Sequence, residues 1–410
     1  MALNFQHHRL PNGLTVVAET NPDAHTAAVG FFVKTGARDE SRDVMGVSHF
    51  LEHMMFKGTD RRTADDVNRE FDEIGANYNA FTSHEQTVYY AQVLPEFLPR
   101  ATDLLGDMLR PSLRGDDFDM EKNVILEEIG MYDDRPEWRL QDTLLEDYFG
   151  DHPLGHRVLG TKQSVGELTA QQMRAYFEHR YAPQNIVVAA AGQLDFDALV
   201  GDVDRLCGPW PSTSADRHGG PPALADKQRT LDDPKARRAY LAVVTPAPAA
   251  DDERRYAMKV LADVLGDSDG SRLYWALVDP GLADEADFAF LPMDGLGVAY
   301  AYASCDPDRA DHVEDVLQKT LRTAFDGFEE DELDRAKHKL ATQATLQGER
   351  PMGRMQSLGR GWQYLQRYLP LDEELAKLQA VTLDDLAGVL EAFPLKPQTT
   401  VRLRPAPPAA

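Results

Sequence analysis

The run His49-Phe50-Leu51-Glu52-His53 places two imidazoles four positions apart with a carboxylate between them. In an α-helix, positions i, i+3 and i+4 lie on one face, so His49, Glu52 and His53 would all point the same way. Two nitrogen donors beside a carboxylate suit metal-assisted hydrolysis, with the imidazoles as ligands and the glutamate as the base that takes a proton from water. The plainer alternative is a pair of solvated histidines on an amphipathic helix. A catalytic zinc takes three protein ligands and keeps a position for water, so the metal reading requires a third ligand elsewhere.

The segment EKNVILEEIG, residues 121–130, provides candidates. Helical periodicity groups Glu121, Val124, Ile125 and Glu128 on one face and carries an acidic residue at each end of an apolar stripe toward the interior. Carboxylates rarely enter an interior without a partner. Glu127 falls about 100° around the helix from Glu128 and reads as solvated. Glu128 is therefore the expected third ligand, and Glu121 a supporting carboxylate that could orient a ligand histidine. An ordinary acidic pair on a helix surface is the alternative.

Composition narrows the possibilities. A chain of 410 residues, 42% hydrophobic, can bury a large core and has room for about two domains. Cys207 and Cys305 are too few for a disulfide framework or a cysteine zinc site, so any metal would be held by histidines and carboxylates. That N/O donor set favours zinc. A net charge of -25 argues against nucleic acid as a partner. It is compatible with an acidic chamber for basic peptides, and equally with ordinary solubility charge. The sequence holds no apolar run that would span a bilayer, and its first residues lack a secretory core, so no membrane partner is expected. As written the chain reads as cytoplasmic, or as periplasmic if a leader has been trimmed.

The elements that must position these side chains can be read in outline. LPNGLTVVAET and HTAAVGFFVKTG read as strands, a helix carries the histidine pair, and residues 65–75 form an amphipathic helix closed by Gly75. Residues 77–94 read as strand, followed by two long helices, LPEFLPRATDLLGDML and DDFDMEKNVILEEIGMYDD. SVGELTAQQMRAYFEHRYAP reads as one helix and QNIVVAAAGQLD as a buried strand. Periodicity lapses in the Pro-, Ser- and Gly-rich stretch 208–222. Beyond it ARRAYLAVVTPAP and DERRYAMKVLADVLG repeat the strand-then-helix order without the histidine motif. The expected fold class is α+β, with two similar sandwich domains, each a mostly antiparallel sheet with helices packed on it. The domains are a first at 1–210 bearing the metal motif, a linker at 211–225, and a second at 226–410.

These residues carry a resemblance. His49-Phe50-Leu51-Glu52-His53 matches the inverted zinc signature H-x-x-E-H of the inverzincins. The chain resembles the M16 metallopeptidase family of pitrilysin, insulysin and the mitochondrial processing peptidase, in its short M16B-type bacterial form. LPNGLTVV, HFLEHMMFKGT, NAFTSHEQTVYY, EKNVILEEI, the GT of LGTKQSV, YAPQNIVVAAAGQLD and GSRLY look like family landmarks in the right order.

The resemblance implies a zinc endopeptidase with one Zn2+ per chain. In it His49, His53 and Glu128 are the ligands, Glu52 the catalytic base and Glu121 the supporting acid. It also implies that Asn79, Ala80 and Phe81 lie on an edge strand pairing with the substrate backbone. The sequence departs from the family pattern in WALVDPGLADEAD. There Val278 and Asp284 stand near the positions of an Arg and a Tyr that hold substrate in active relatives, and neither can replace a guanidinium or a phenol. Family members of this length form half of a clamshell, so the expected partner is a homologous subunit carrying the Arg/Tyr pair, or a second copy of this chain. The alternatives are a non-catalytic assembly subunit and a peptide-binding module without turnover.

Overall fold

The computed structural model describes residues 3–406, apart from 214, 216, 218, 219 and 221. In the first half, strands β1 (Asn4–Arg9), β2 (Thr15–Thr20) and β3 (Ala27–Val33) precede helices α1 (Val47–Met55) and α2 (Ala64–Glu73). Strands β4 (Asn77–Thr82) and β5 (Thr87–Val93) lead into helices α3 (Leu98–Met108), α4 (Gly115–Asp133), α5 (Pro136–Phe149), α6 (Lys162–Glu167) and α7 (Ala170–Arg180). Strand β6 (Ile186–Gly192) and helix α8 (Phe196–Cys207) complete it. The second half runs β7 (Lys227–Asp233), β8 (Ala239–Ala247), α9 (Arg255–Gly266), β9 (Glu285–Pro292), β10 (Gly297–Cys305), α10 (Ala310–Arg322) and α11 (Glu330–Gly348). It ends with α12 (Pro351–Leu365), α13 (Leu371–Gln379), α14 (Leu383–Ala392) and β11 (Thr399–Pro405).

The first sheet has the order β1-β2-β6-β3-β5-β4 and the second β7-β11-β8-β10-β9. From β2 onward the two have the same topology. In each, the first strand pairs in parallel with the last, and every other pairing is antiparallel. The two-domain α+β expectation holds, and the repeat suggested by strand and helix order is a repeat of connectivity.

The packing does not follow the chain. One compact unit comprises Met1–Gly130, His156–Gly219 and Leu346–Leu369, and the other Met131–Gly155, Gly220–Thr345 and Pro370–Ala410. The contiguous division at 1–210 and 226–410 is corrected accordingly, because each sheet has two apolar faces to cover and takes one helix from the other half of the sequence. In the first unit, β3 and β6 are buried along their whole length. One face packs on a core containing Phe31, Phe50, Leu104 and Val203. The other face, with Val17, Phe32, Val88 and Ala189, is covered by Met355 and Leu358 of α12. A buried bidentate pair, Arg354 Nε to Glu19 Oε1 at 2.8 Å and Nη2 to Oε2 at 2.5 Å, fixes α12 to β2. Gly359 permits the approach, since a Cβ there would lie 2.3 Å from the Phe32 ring. In the second unit, α5 plays the reciprocal part, with Leu140, Leu144 and Tyr148 packed on Ala242, Val244 and Val401.

The described residues of 211–225 lie outside helices and strands, while the linker expectation at 214, 216, 218, 219 and 221 lies outside the described residues. Three sequence readings are refined. Residues 77–94 form two strands, SVGELTAQQMRAYFEHRYAP spans the end of α6 and all of α7, and β1 adds a strand in a segment of mostly polar residues. Among the described residues, no helix is long and apolar enough to cross a membrane.

Candidate metal centre

Helix α1 starts at Gly46, whose φ of 95° is left-handed and whose Cα faces the Leu159 carbonyl so closely that a Cβ would come within 2.7 Å of it. The first turn is held by a buried carboxylate. Glu40 accepts from the Gly46 N–H at 2.7 Å through Oε2 and from the Ser48 N–H at 2.8 Å through Oε1. Burial raises the Glu40 carboxyl to about 7 against the opposing pull of these two amides. Ser48 Oγ and Tyr176 Oη are 2.8 Å apart, and Tyr176 is equally close to Thr35 Oγ1, which ties the turn to the sheet.

On this helix His49 and His53 lie with ring centroids 4.7 Å apart. Helix α4 brings Glu128 to them, its Oε2 lying 3.8 Å from His49 Nε2 and 3.6 Å from His53 Nε2. One ligand atom from each of the three lies within 4.8 Å of the others. Ligands about 2.05 Å from a tetrahedral zinc are about 3.3 Å apart, so Glu128 Oε2 stands within about half an ångström of that spacing from each imidazole, while the two imidazole donors, within 4.8 Å of each other, would draw together by up to about 1.5 Å around an ion. The protonation states fit as well. Burial, with the neighbouring His53 second, lowers His49 to about 3 and keeps it a neutral imidazole. His53 Nδ1 lies 2.9 Å from Glu121 Oε1, which places the proton on Nδ1 and leaves Nε2 free as a donor to a cation. The other Glu121 oxygen takes Lys57 Nζ at 2.5 Å. His49 Nδ1, by contrast, is buried without a hydrogen-bond partner among the described residues.

Glu52 is on the same helix, and its Oε2 accepts the Thr82 hydroxyl at 2.6 Å. Its carboxyl is raised by burial and by Glu128, against the lowering effects of Thr82 and His53. Thr82 ends β4, the edge of the first sheet, which also carries Asn79, Ala80 and Phe81. Asn79 is exposed, Ala80 is buried, and the Ala80 N–H donates to Asn79 Oδ1 at 2.8 Å.

The structure thus brings His49, Glu52, His53, Glu121 and Glu128 together and sets Asn79, Ala80 and Phe81 on an open strand edge. One expectation for α4 is corrected. Val124 is 45% exposed, because the inward face is narrower than the stripe reading allowed and runs through Glu121, Ile125 and Ile129. Val278 packs at the margin of the second unit's core, and Asp284 pairs with Arg238. Sequence reasoning missed Lys57, Thr82 and Glu40. Lys57 follows His53 by four positions, a signal that could have been used; the partners of Thr82 and Glu40 carry no local signature.

Residues 15–162 match the insulinase (peptidase family M16) model and residues 167–340 the peptidase M16 inactive domain model. This chain belongs to peptidase family M16. An uncharacterized zinc protease of Mycobacterium tuberculosis is 37% identical over 400 residues, covering 95% of this chain and 90% of that protein. One of Bacillus subtilis is 32% identical over 388 residues, covering 94% of each. Among solved structures, a protease from Helicobacter pylori superposes with a TM-score of 0.89 at 20% identity, covering 98% of this chain and 100% of that one. The peptidase M16 inactive domain from Pseudomonas fluorescens has a TM-score of 0.89 at 20% identity, with 99% and 98% covered. At these identities the structural likeness shows the M16 fold alone.

Proposed function

We propose that this M16 chain is a zinc-dependent endopeptidase that hydrolyses peptides or unfolded segments, as the catalytic subunit of a two-subunit chamber. The observation that carries the reading is the convergence of His49, His53 and Glu128 within 4.8 Å of one another, with Glu52 one position before His53. The two imidazoles and the carboxylate would hold the ion, and Glu121 would keep His53 in its ligating tautomer. Zinc, when bound, supplies Lewis acidity toward a scissile carbonyl and a water of lowered pKa. Glu52 takes a proton from the attacking water and delivers it to the leaving amine, a task favoured by a carboxyl that burial makes more basic. The open edge of β4 at Asn79, Ala80 and Phe81 would accept the peptide as an added strand. Such binding is tolerant of sequence because main-chain groups make the bonds.

Neither Val278 nor Asp284 offers the cationic or phenolic contact that an enclosed peptide would need on its far side. The reading therefore includes a homologous subunit bringing an Arg and a Tyr, with a self-dimer as the alternative arrangement. The test is cleavage of a fluorogenic peptide library by the zinc-loaded chain, alone and with candidate partner subunits, using Glu52→Gln as the blank. Glu52→Gln is expected to retain one zinc and lose nearly all turnover. Turnover equal to the wild-type rate in that variant would remove the proposed base, and robust activity of the chain alone would remove the partner. Zinc binding without turnover in any combination would favour the non-catalytic subunit.

A further inference from the structure

We propose that Thr82 is a positioning residue for the hydrolytic step, its hydroxyl at the end of the edge strand holding the Glu52 carboxylate in place. The inference rests on the reading of Glu52 as the base.

The geometry is specific about where the Thr82 proton goes. A threonine hydroxyl has one proton to donate. Two acceptors are near it: Glu52 Oε2 at 2.6 Å and Thr87 Oγ1 at 3.5 Å. Thr87 Oγ1 donates its own proton to the Thr35 carbonyl at 2.9 Å, so it faces Thr82 only as a distant acceptor. The 2.6 Å contact lies in the range of a hydroxyl bound to an ionised carboxylate, and it takes the proton. The Thr82 backbone N–H also favours the ionised Glu52, so one residue addresses the base twice. Among the described residues, no other side chain hydrogen-bonds Glu52. Its orientation beyond the helix backbone therefore depends on Thr82.

A glutamate has three rotatable side-chain bonds, and a base must keep its oxygen within hydrogen-bond reach of the proton it removes. Thr82 is β-branched and restricted at χ1, and its strand pairs with β5 through Thr87, so its hydroxyl direction is set by the sheet. The same strand carries Asn79, Ala80 and Phe81, immediately before Thr82. A peptide added to β4 and the carboxylate that acts on it are thus registered on one rigid element. A small error in placing either would otherwise cost rate steeply.

The test compares Thr82→Val, which keeps the branched shape and removes the hydroxyl, with Thr82→Ser, which keeps the hydroxyl and removes the methyl. With zinc content held at the wild-type level, Thr82→Val is expected to lower kcat about 10- to 100-fold while leaving KM within about twofold, the scale of one hydrogen bond to a charged group. Thr82→Ser is expected to restore most of kcat. In the Glu52→Gln background, Thr82→Val is expected to add no further loss. An unchanged kcat in Thr82→Val overturns the proposal, as does equal loss in Thr82→Ser. Crystal structures of the wild type and Thr82→Val provide a readout independent of turnover. A displaced Glu52 carboxylate in the variant supports the proposal, and an unmoved one overturns it even if the wild type proves inactive.

Discussion

Glu40 offers a prediction whose size follows from its surroundings. Its two oxygens each receive one backbone N–H, from Gly46 and from Ser48, and its carboxyl is raised from 4.5 to about 7 by burial. The folded chain therefore holds a proton that the unfolded chain releases at lower pH. Between pH 4.5 and 7 the unfolded state binds fewer protons, so stability falls as pH rises through this window. Glu40→Gln removes the titration and presents one acceptor where two amides converge, so one N–H meets an amino group. The variant is expected to be less stable than the wild type at pH 5. Its deficit is expected to shrink by about 2–3 kcal/mol between pH 5 and pH 8, as the wild type alone bears the cost of ionising a buried acid. Urea unfolding of both proteins at the two pH values, followed by circular dichroism with a chelator present so that metal binding does not enter, measures the change. A deficit that stays constant across this range would refute the reasoning that Glu40 titrates there.

Two further outcomes are expected. Glu121→Gln should weaken zinc binding about 10- to 100-fold, read by competition with a chromogenic chelator, because His53 loses the carboxylate that fixes its tautomer; unchanged affinity would show that the 2.9 Å contact has no influence. Arg354→Ala should destabilise the first unit by about 3–5 kcal/mol, because Glu19, 2% exposed, keeps only the Tyr368 hydroxyl as a side-chain partner among the described residues; a variant with the wild-type urea midpoint would contradict this.

The candidate site was more legible in the sequence than the boundaries of its scaffold. His49, Glu52 and His53 share a helical face by spacing alone, and Glu121 and Glu128 stand out as acids bracketing buried Ile125, so local periodicity picks out each set and the need for a third ligand joins the two. Val124 was misplaced because an i+3 neighbour of Glu121 lies about 60° off the inward axis, where burial depends on what packs opposite. Thr82 lies in the strand-forming run NAFTSHEQTVYY, yet its role depends on Glu52, 30 positions away in sequence, and no local pattern encodes that distance. The reciprocal placement of α5 and α12 escaped for the same reason. Both follow 19-residue helices, α4 and α11, but an amphipathic helix does not specify which of two similar sheets it covers.

That exchange also has a consequence for how the polypeptide is made. The first sheet is complete in sequence once β6 has emerged at Gly192, yet the helix that covers its second face begins at Pro351. At roughly 5–20 residues per second, a ribosome needs about 10–35 s to reach the end of α12. Throughout that interval the nascent chain has no α12 with which to cover the face bearing Val17, Phe32, Val88 and Ala189. Splitting the gene at the linker would make the gap permanent, since each fragment would contain the helix belonging to the other's sheet.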